Sequence, residues 1–364
     1  MKITIVGGGN IGTQFAVHSA CKGHEVTIFT SKPSLFSKEL SIVNRNGITL
    51  HKSAISLVTN NPAVAFKDVE LIFVTVPSFL FNVIASQIEP YVKEQLIICT
   101  VPGSGGSEFA FSKCMKKGAV LCGLQRVPSV ARLVKYGHSV CATGYRNLLY
   151  LAALPKKHEK KCCSIVESIF DIKCNNLPCY LNLTLNNSNP ILHTSRIYSL
   201  LKNYKTGDSF DNIAFYEEWD DSASKLLIEC DEELHKIFMY LPFFDLSGVS
   251  SIKAHYESNT IEDLTKKIRS ISSFKGIYFP MKTNSDNRYV PDFSSRYFKS
   301  DFSFGLSIFV QLSELLNIQT PCMTSIWNWY KKISLDQDFF KFSNYGIYCS
   351  RDFFNFYREL ERPS

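Results

Sequence analysis

The chain has 364 residues, of which 45% are hydrophobic and 20% are charged. This length and composition allow a large buried core and two domains, and they exclude a disordered, collagen-like or coiled-coil protein. The 40 basic and 33 acidic residues give a net charge of +7, and the basic residues are dispersed along the chain. A dispersed excess favours an anionic small ligand no less than nucleic acid, and no basic stripe or recognition motif supports nucleic-acid binding.

Twelve scattered cysteines without a C-x-x-C pair disfavour both a zinc site and a disulfide framework. We therefore expect no metal, reduced and mostly buried thiols, and a cytoplasmic protein. The amino-terminal apolar run is too short for a signal peptide, and the apolar stretch 71–85 is interrupted by Pro77, Ser78 and Asn82. Because a spanning helix needs about 20 apolar residues, no membrane segment is predicted.

Short β-branched runs alternate with helical patterns in the first half of the chain, which is typical of a Rossmann-type, doubly wound parallel sheet. Apolar residues at helical spacing predict a helix over 10–22 between two strands. An Asn46-Gly47 turn predicts a hairpin over 44–58. The predicted strands are 3–6, 25–30, 71–75, 96–100, 119–123, 139–142 and 148–154.

Long helical patterns replace the strands after Asn186, so we place a domain boundary between residues 186 and 187. The second domain, 187–364, is expected to be mostly α-helical. Its predicted helices are 190–204, 222–239, 260–271, 307–316 and 322–333. The aromatic stretch 339–357 predicts a terminal helix packed on the body of the protein, and the alternative is a self-association surface that would give a homodimer.

A G-x-G-x-x-G motif directly follows the first strand and opens the first helix: Gly7-Gly8-Gly9-Asn10-Ile11-Gly12. In this context Gly7 allows the tight turn, Gly9 lets the backbone approach a pyrophosphate, and Gly12 lets the helix pack closely on the strand. The helix start at Asn10 and Ile11 supplies free N–H groups for the phosphates. The alternatives are a glycine-rich turn without a ligand and a flavin site.

The end of the second strand indicates which nicotinamide dinucleotide would bind. An NAD site usually has Asp or Glu there to bind the ribose 2′-hydroxyl. This chain has Thr30, Ser31 and Lys32, whose two hydroxyls and one cation suit a 2′-phosphate. NADP is therefore expected, with NAD as the alternative. The remaining possibility is an exposed turn that makes no contact with the adenosine. Val76 and Pro77, at the carboxyl end of a buried strand, are further candidates for cofactor contact.

Two further segments are more specific than the glycine loop. They are Asn189-Pro190-Ile191-Leu192-His193-Thr194-Ser195-Arg196 and the segment 295–306 with the pattern R-Y-x-x-x-D-x-x-x-G-L. Together with the glycine loop and Gly123-Leu124-Gln125-Arg126-Val127-Pro128, they make the chain resemble the NAD/NADP octopine and nopaline dehydrogenases, the opine dehydrogenases. The resemblance extends from Met1 to about Tyr330.

This resemblance implies an oxidoreductase that acts on CH–NH donors. An amine and a 2-oxo acid form an imine, which NAD(P)H reduces to a secondary amine called an opine. By motif, His193 corresponds to the family's acid/base, Asp301 to the carboxylate that orients it, and Arg296 to the group that holds a substrate carboxylate. Asn189 and Arg126, in the matching segments, are further candidates for substrate binding.

The chemistry of these residue types agrees with the implied roles. Histidine titrates near neutrality and can donate or accept the proton at nitrogen. A carboxylate fixes the imidazole tautomer, and arginine binds a carboxylate through two parallel hydrogen bonds. His193 lies about one helical turn after the predicted boundary, so it can face a cleft that holds the nicotinamide. The alternatives without a catalytic or binding role are a purely structural His193 and an interdomain salt bridge at Arg126.

Two other functions remain open from the sequence. A ketopantoate-reductase-like reductase of a simple 2-oxo acid has the same two-domain architecture, but it would be expected to carry a catalytic lysine that cannot be assigned here. A catalytically inactive, NADP-binding regulator is the alternative from a different functional class. The presence of His193, Arg296 and Asp301 argues against it.

Overall fold

The computed structural model describes residues 1–334 and 338–361 of the chain. These residues form two compact units, one of residues 1–184 with the chain end from Asn355 onward, and one of residues 185–354. The division after Thr184 lies two residues before the boundary that the sequence predicts. The end of the chain differs from the prediction, because the described residues from Asn355 belong to the first unit and not to the helical one.

The first unit is built on two sheets. Its strands are β1 (Lys2–Val6), β2 (Glu25–Phe29), β3 (Glu39–Val43), β4 (Thr49–Ala54), β5 (Leu57–Thr59), β6 (Leu71–Val74), β7 (Ile97–Thr100), β8 (Val120–Leu124), β9 (Val130–Lys135), β10 (Ser139–Thr143), β11 (Leu148–Leu154) and β12 (Lys173–Asn176). The main sheet has the order β12-β11-β8-β7-β6-β1-β2-β5, and its pairs are parallel except for β8 with β11. The second sheet has the order β4-β3-β10-β9. The predicted Rossmann-type architecture is confirmed.

The helices of the first unit connect and cover these sheets. They are α1 (Asn10–Cys21), α2 (Pro62–Phe66), α3 (Phe81–Ile88), α4 (Ser107–Ala110), α5 (Ser112–Lys116), α6 (Glu159–Phe170) and α7 (Leu181–Thr184). Every residue of α1 from Gly12 to Ser19 is buried, because the helix packs against strands of both sheets. Burial on all sides fixes the position of the helix start, where the glycine loop lies.

The predicted hairpin over 44–58 is only partly correct. Strands β3 and β4 pair antiparallel around Asn46-Gly47, where the Gly47 N–H donates to the Asn44 carbonyl. The last part of the range does not belong to the hairpin, because β5 leaves it and pairs in parallel with β2. The predicted strand 139–142 is present as β10, in the second sheet.

The second unit is mostly helical. Its elements are α8 (Asn189–Leu201), α9 (Asp221–Phe238), α10 (Ile252–His255), α11 (Ile261–Ser270), α12 (Arg296–Lys299), a π-helical turn (Phe302–Leu306), α13 (Ser307–Leu315), α14 (Pro321–Ile333), and the short hairpin of β13 (Met281–Thr283) and β14 (Tyr289–Pro291). The five predicted helices are all present, with ends that differ by at most three residues. Within the described ranges, no helix has both the length and the apolar character needed to cross a bilayer.

A terminal helix, α15 (Ser350–Leu360), forms in the aromatic stretch as predicted. Its second half packs on the first unit, where Phe356 stacks on Phe109 with ring centroids 4.7 Å apart. The Tyr357 hydroxyl donates to Glu108 Oε1 at 2.5 Å, and the Thr184 hydroxyl donates to the same oxygen. The other carboxyl oxygen, Oε2, is buried and has no hydrogen-bond partner among the described residues. Burial raises the pKa of Glu108 to about 7.

This buried carboxyl should make stability depend on pH. Because the pKa of Glu108 rises from 4.5 to about 7 on folding, the folded protein keeps a proton between these values that the unfolded chain has lost. The free energy of unfolding should therefore fall as the pH rises through this window. Relative to the Glu108→Gln variant, wild-type stability is expected to fall by roughly 3 kcal/mol between pH 4 and pH 8.

Urea unfolding of both proteins across this range measures the difference. Tyr357→Phe is the matched control, because it removes one hydrogen bond to the carboxyl and leaves the carboxyl able to ionise. A difference between wild type and Glu108→Gln that stays constant from pH 4 to pH 8 would contradict the prediction.

Candidate active site

The glycine loop joins β1 to α1 with very little space between them. A Cβ atom on Gly12 would lie 1.8 Å from the carbonyl oxygen of Gly7, so the helix approaches the strand as closely as only glycine permits. Gly7 has φ +105°, in the region that favours glycine. Gly9 is different, because no atom lies within 4 Å of the position that its Cβ would take. The loop is therefore packed tightly at Gly7 and Gly12 and is open at Gly9.

The start of α1 has no internal cap. Gly9 is the N-cap residue and offers no side chain, so the first N–H groups of the helix lack acceptors within it. The Asn10 side chain is engaged elsewhere, since its Oδ1 accepts from the Leu133 N–H at 2.7 Å. Asn10 and Ile11 therefore present uncapped backbone N–H groups to a ligand. An open glycine beside uncapped N–H groups fits the pyrophosphate of a dinucleotide.

The three residues predicted to contact the adenosine phosphate divide into two kinds. Thr30 is buried, and its hydroxyl lies 3.3 Å from the Tyr136 hydroxyl, so it helps to hold the loop. Ser31 and Lys32 are exposed and can reach a ligand. Val76 contacts the glycine loop, with its Cγ1 3.0 Å from the Cβ position of Gly7, and Pro77 beside it is half-buried.

His193 and Asp301 lie in direct contact in the helical unit. His193 is in the second turn of α8, and its Nδ1 lies 2.7 Å from Asp301 Oδ2. Both side chains are shielded from solvent, with 4% of the histidine and 13% of the aspartate exposed. The contact expected for an orienting carboxylate is therefore present, whereas the catalytic roles stay predictions.

The close approach of two backbone segments brings these side chains together. Pro190 lies in the first turn of α8, and a Cβ on Gly305 would come within 2.9 Å of the Pro190 side chain. Gly305 belongs to the π-helical turn, in which the Leu306 N–H donates to the Asp301 carbonyl at 2.8 Å. The glycine and proline of the two motifs thus allow the contact that positions Asp301 beside His193. Such π-helical turns occur frequently at functional sites.

An aromatic ring lies against the imidazole, and a cation lies over that ring. The Tyr297 ring lies against His193 with centroids 4.4 Å apart, and the Arg296 guanidinium lies 5.4 Å from the Tyr297 ring centre. Arg296 is exposed, and none of the carboxylates in the described ranges pairs with it. Arg296 is thus the open cation of this cluster and can bind an anionic group.

Tyr216 is a contact of His193 that the sequence did not predict. Its hydroxyl lies 2.8 Å from His193 Nε2, the nitrogen not used by Asp301. A buried arginine holds the segment 215–220 that carries it, because Arg196 donates to the carbonyls of Phe215 and Glu218 and to the Asp220 carboxylate. Arg196 follows His193 by three residues on α8, so one helix face positions both the imidazole and its tyrosine partner.

Asn189 and Arg126 are the two other residues predicted to bind substrate. Asn189, the first residue of α8, is exposed, whereas the neighbouring Asn187 is buried and donates to Asp231 Oδ1 at 2.6 Å. Arg126 is half-buried just after β8, in the first unit. The contact of His193 with Asp301 does not involve either residue. Among the residues that the structure describes, no group of three or more His, Cys, Asp and Glu side chains could hold a metal ion.

Comparisons with known proteins agree with both units. Residues 176–334 match the family model of the NAD/NADP octopine/nopaline dehydrogenase, alpha-helical domain. Residues 2–115 match the NAD-dependent glycerol-3-phosphate dehydrogenase N-terminus. The helical match contains His193, Arg296 and Asp301, and the amino-terminal match contains the glycine loop.

Complete proteins are similar over nearly the whole chain. The tauropine dehydrogenase of Arabella iricolor is 23% identical over 362 residues, which cover 91% of each chain. An octopine dehydrogenase solved with NADH and L-arginine superposes with a TM-score of 0.78 and 20% identity, over 91% of this chain and 89% of that one. A yersinopine dehydrogenase with bound NADP⁺ gives a TM-score of 0.68 at 11% identity, over 99% and 98%. The resemblance predicted from the sequence is thus confirmed, since residues 176–334 of this chain match the helical domain of the NAD/NADP octopine/nopaline dehydrogenase family.

Proposed function

We propose that the chain is an NAD(P)H-dependent opine dehydrogenase, which condenses an amine with a 2-oxo acid and reduces the resulting imine. The observation that carries this proposal is the 2.7 Å contact between His193 and Asp301 within a helical domain of that family. Its relatives include a tauropine dehydrogenase, and an octopine dehydrogenase with bound NADH and L-arginine shares the fold. The substrates of this chain are accordingly an amine and a 2-oxo acid.

His193 is the acid and base of the proposed reaction. When bound, NAD(P)H would supply the hydride for the imine carbon. His193 supplies the proton that the imine nitrogen receives, and it takes the proton back in the reverse direction. Asp301 keeps the other ring proton on Nδ1, so that Nε2 is the nitrogen that exchanges protons with the substrate side.

Arg296 is the proposed carboxylate-binding group. Its guanidinium is exposed and lies over Tyr297, whose ring in turn lies against His193. A guanidinium can hold a carboxylate through two parallel hydrogen bonds, which fixes the orientation of the oxo acid as well as its position. Asn189 and Arg126 are proposed as secondary contacts with substrate.

NADP is the proposed dinucleotide. Gly7, Gly9 and Gly12 with the backbone of Asn10 and Ile11 would hold the pyrophosphate, with Val76 and Pro77 beside the loop. The exposed Ser31 and Lys32 would bind the 2′-phosphate, and the contact of Thr30 with Tyr136 would hold their loop in place. The absence of a carboxylate from the sequence at the end of β2 favours NADP over NAD.

The proposed reaction predicts a specific pattern of NADPH oxidation. We expect oxidation only when a 2-oxo acid and an amine are both present, with a lower KM for NADPH than for NADH. The measurement is a screen of 2-oxo acids, each with and without a panel of amines. Oxidation by an oxo acid alone would indicate a simple reductase, and no oxidation with any pair would contradict the proposal.

Removal of the histidine side chain should lower turnover strongly without affecting dinucleotide binding. We expect His193→Ala to lower kcat by about 10²-fold or more, because proton transfer by a positioned side chain contributes this much. Asp301→Asn should also lower kcat, since the amide cannot fix the tautomer as a carboxylate does. Steady-state turnover and the Kd of NADPH are measured for both variants, with His158→Ala as the histidine control. Unchanged turnover in His193→Ala would remove this residue from the mechanism.

The glycine loop offers a matched pair of substitutions. Gly9→Ala should fold normally, because its Cβ meets no atom within 4 Å, but it should weaken NADPH binding tenfold or more by filling the space for the pyrophosphate. Gly12→Ala should lower the thermal stability itself, because its Cβ would lie 1.8 Å from a carbonyl oxygen. The melting temperature and the Kd of NADPH separate the two effects. Wild-type affinity in Gly9→Ala would rule out this loop as the pyrophosphate site.

A further inference from the structure

Both ring nitrogens of His193 already have hydrogen-bond partners. Nδ1 contacts Asp301 and Nε2 contacts the Tyr216 hydroxyl, at 2.7 and 2.8 Å. Proton transfer from His193 to a substrate can therefore follow two routes. Either the substrate displaces the Tyr216 hydroxyl from Nε2, or the hydroxyl relays the proton. The surroundings of the tyrosine decide between these two routes.

The Tyr216 ring is held on several sides. Phe274 stacks on it with centroids 4.1 Å apart and an interplanar angle of 18°, and Phe215 meets it edge-on at 4.8 Å. Only 4% of the residue is exposed. Its main chain is also fixed, because Arg196 binds the carbonyls of residues 215 and 218 on either side. The ring cannot turn away from Nε2 without breaking this packing, so displacement by a substrate would be costly.

The tyrosine hydroxyl has unused hydrogen-bonding capacity. A hydroxyl donates one hydrogen bond and accepts two, and among the described residues His193 is the one partner of the Tyr216 hydroxyl. While Nε2 is unprotonated, the hydroxyl donates to it. Once Nε2 carries a proton, Nε2 becomes the donor, and the O–H of Tyr216 is released to point at a second acceptor.

We propose that Tyr216 is a catalytic residue of the proposed condensation, and that its hydroxyl contacts the substrate nitrogen and relays the proton of His193. In the reductive direction, the imine nitrogen takes the O–H proton of Tyr216 as the imine carbon takes the hydride. The phenol oxygen takes the Nε2 proton of His193 in the same step. Tyr216 is neutral before and after, His193 becomes neutral, and the C=N bond becomes CH–NH. This inference depends on the proposed function.

The electrostatics of the site keep the phenol neutral, as a relay requires. Burial raises the pKa of Tyr216 well above its usual value, and the neighbouring Tyr297, Tyr256 and Asp301 raise it further. The positive charge of Arg296 lowers the pKa of Tyr216 by a smaller amount. A phenol that stays protonated near neutral pH can receive one proton only by giving up another.

Tyr216→Phe tests the relay, because it keeps the stacked ring and removes only the hydroxyl. We expect kcat to fall by about 10²-fold or more, with the Kd of NADPH and the melting temperature unchanged. Tyr330→Phe is the matched control, since it removes another buried phenol of the same unit, bonded to Ser303 at 3.1 Å. The control should retain wild-type kcat.

Two further measurements distinguish a relay from a structural role. The rate of wild-type enzyme in mixtures of H₂O and D₂O should depend nonlinearly on the deuterium fraction, because two protons move in one step. Replacement of Tyr216 by difluorotyrosine, which keeps the hydroxyl and makes it more acidic, should retain turnover and shift the basic limb of the pH profile to lower pH. This variant tests the relay even if Tyr216→Phe does not fold.

The outcomes separate this inference from the proposed function. Wild-type oxidation of NADPH that requires both substrates, with a kcat for Tyr216→Phe within twofold of wild type, would overturn the relay alone. Faster turnover in Tyr216→Phe would also overturn it, because the hydroxyl would then be an obstacle to the substrate. An inactive wild-type protein with every substrate pair would overturn the proposed function and the relay together.

Discussion

The hydrogen bond between His193 and Asp301 joins two segments that are 108 residues apart in sequence, and much of the helical unit serves to make it possible. One segment is the start of α8 and the other is the π-helical turn, and they touch where Gly305 meets Pro190. A residue larger than glycine at position 305 would place its Cβ 2.9 Å from the Pro190 side chain, so one of the two segments would have to shift. Each motif therefore combines a residue with a chemical role and a residue that lets the two backbones approach. These pairs are His193 with Pro190 and Asp301 with Gly305.

The parts of the fold that could be predicted are those that local sequence determines. The glycine loop was predictable because the backbone geometry at Gly7 and Gly12 requires glycine. The helices of the second unit were predictable because their apolar residues are regularly spaced. The second sheet was not, since the pairing of β3 with β10 joins residues about a hundred positions apart. Nor was the return of the chain end to the first unit, where Tyr357 contacts Glu108, a residue 249 positions earlier in the sequence.

The candidate site shows the same division. His193, Asp301 and Arg296 could be predicted because they lie in motifs of a known family. Tyr216 could not, because it lies in an irregular loop whose course is set by the buried Arg196. A weak signal was present: Arg196 lies on the helix of the histidine, and the segment 215–221 combines aromatic and acidic residues. Only tertiary structure shows that the arginine binds the carbonyls of this segment and so presents its tyrosine to Nε2.

The arrangement also suggests how charge is distributed during the proposed reaction. The Asp301 carboxylate lies 2.7 Å from Nδ1, so in the proposed reaction it would offset a positive charge on the imidazole. The Tyr216 phenol, on the other side of the imidazole, lies among aromatic rings, where a negative charge would be poorly solvated. In the proposed reaction His193 would therefore hold the proton, and Tyr216 would pass it on. Arg296, which is exposed beyond Tyr297, adds a positive charge where the substrate carboxylate would lie, and so the anchor for the substrate is kept apart from the path of the proton.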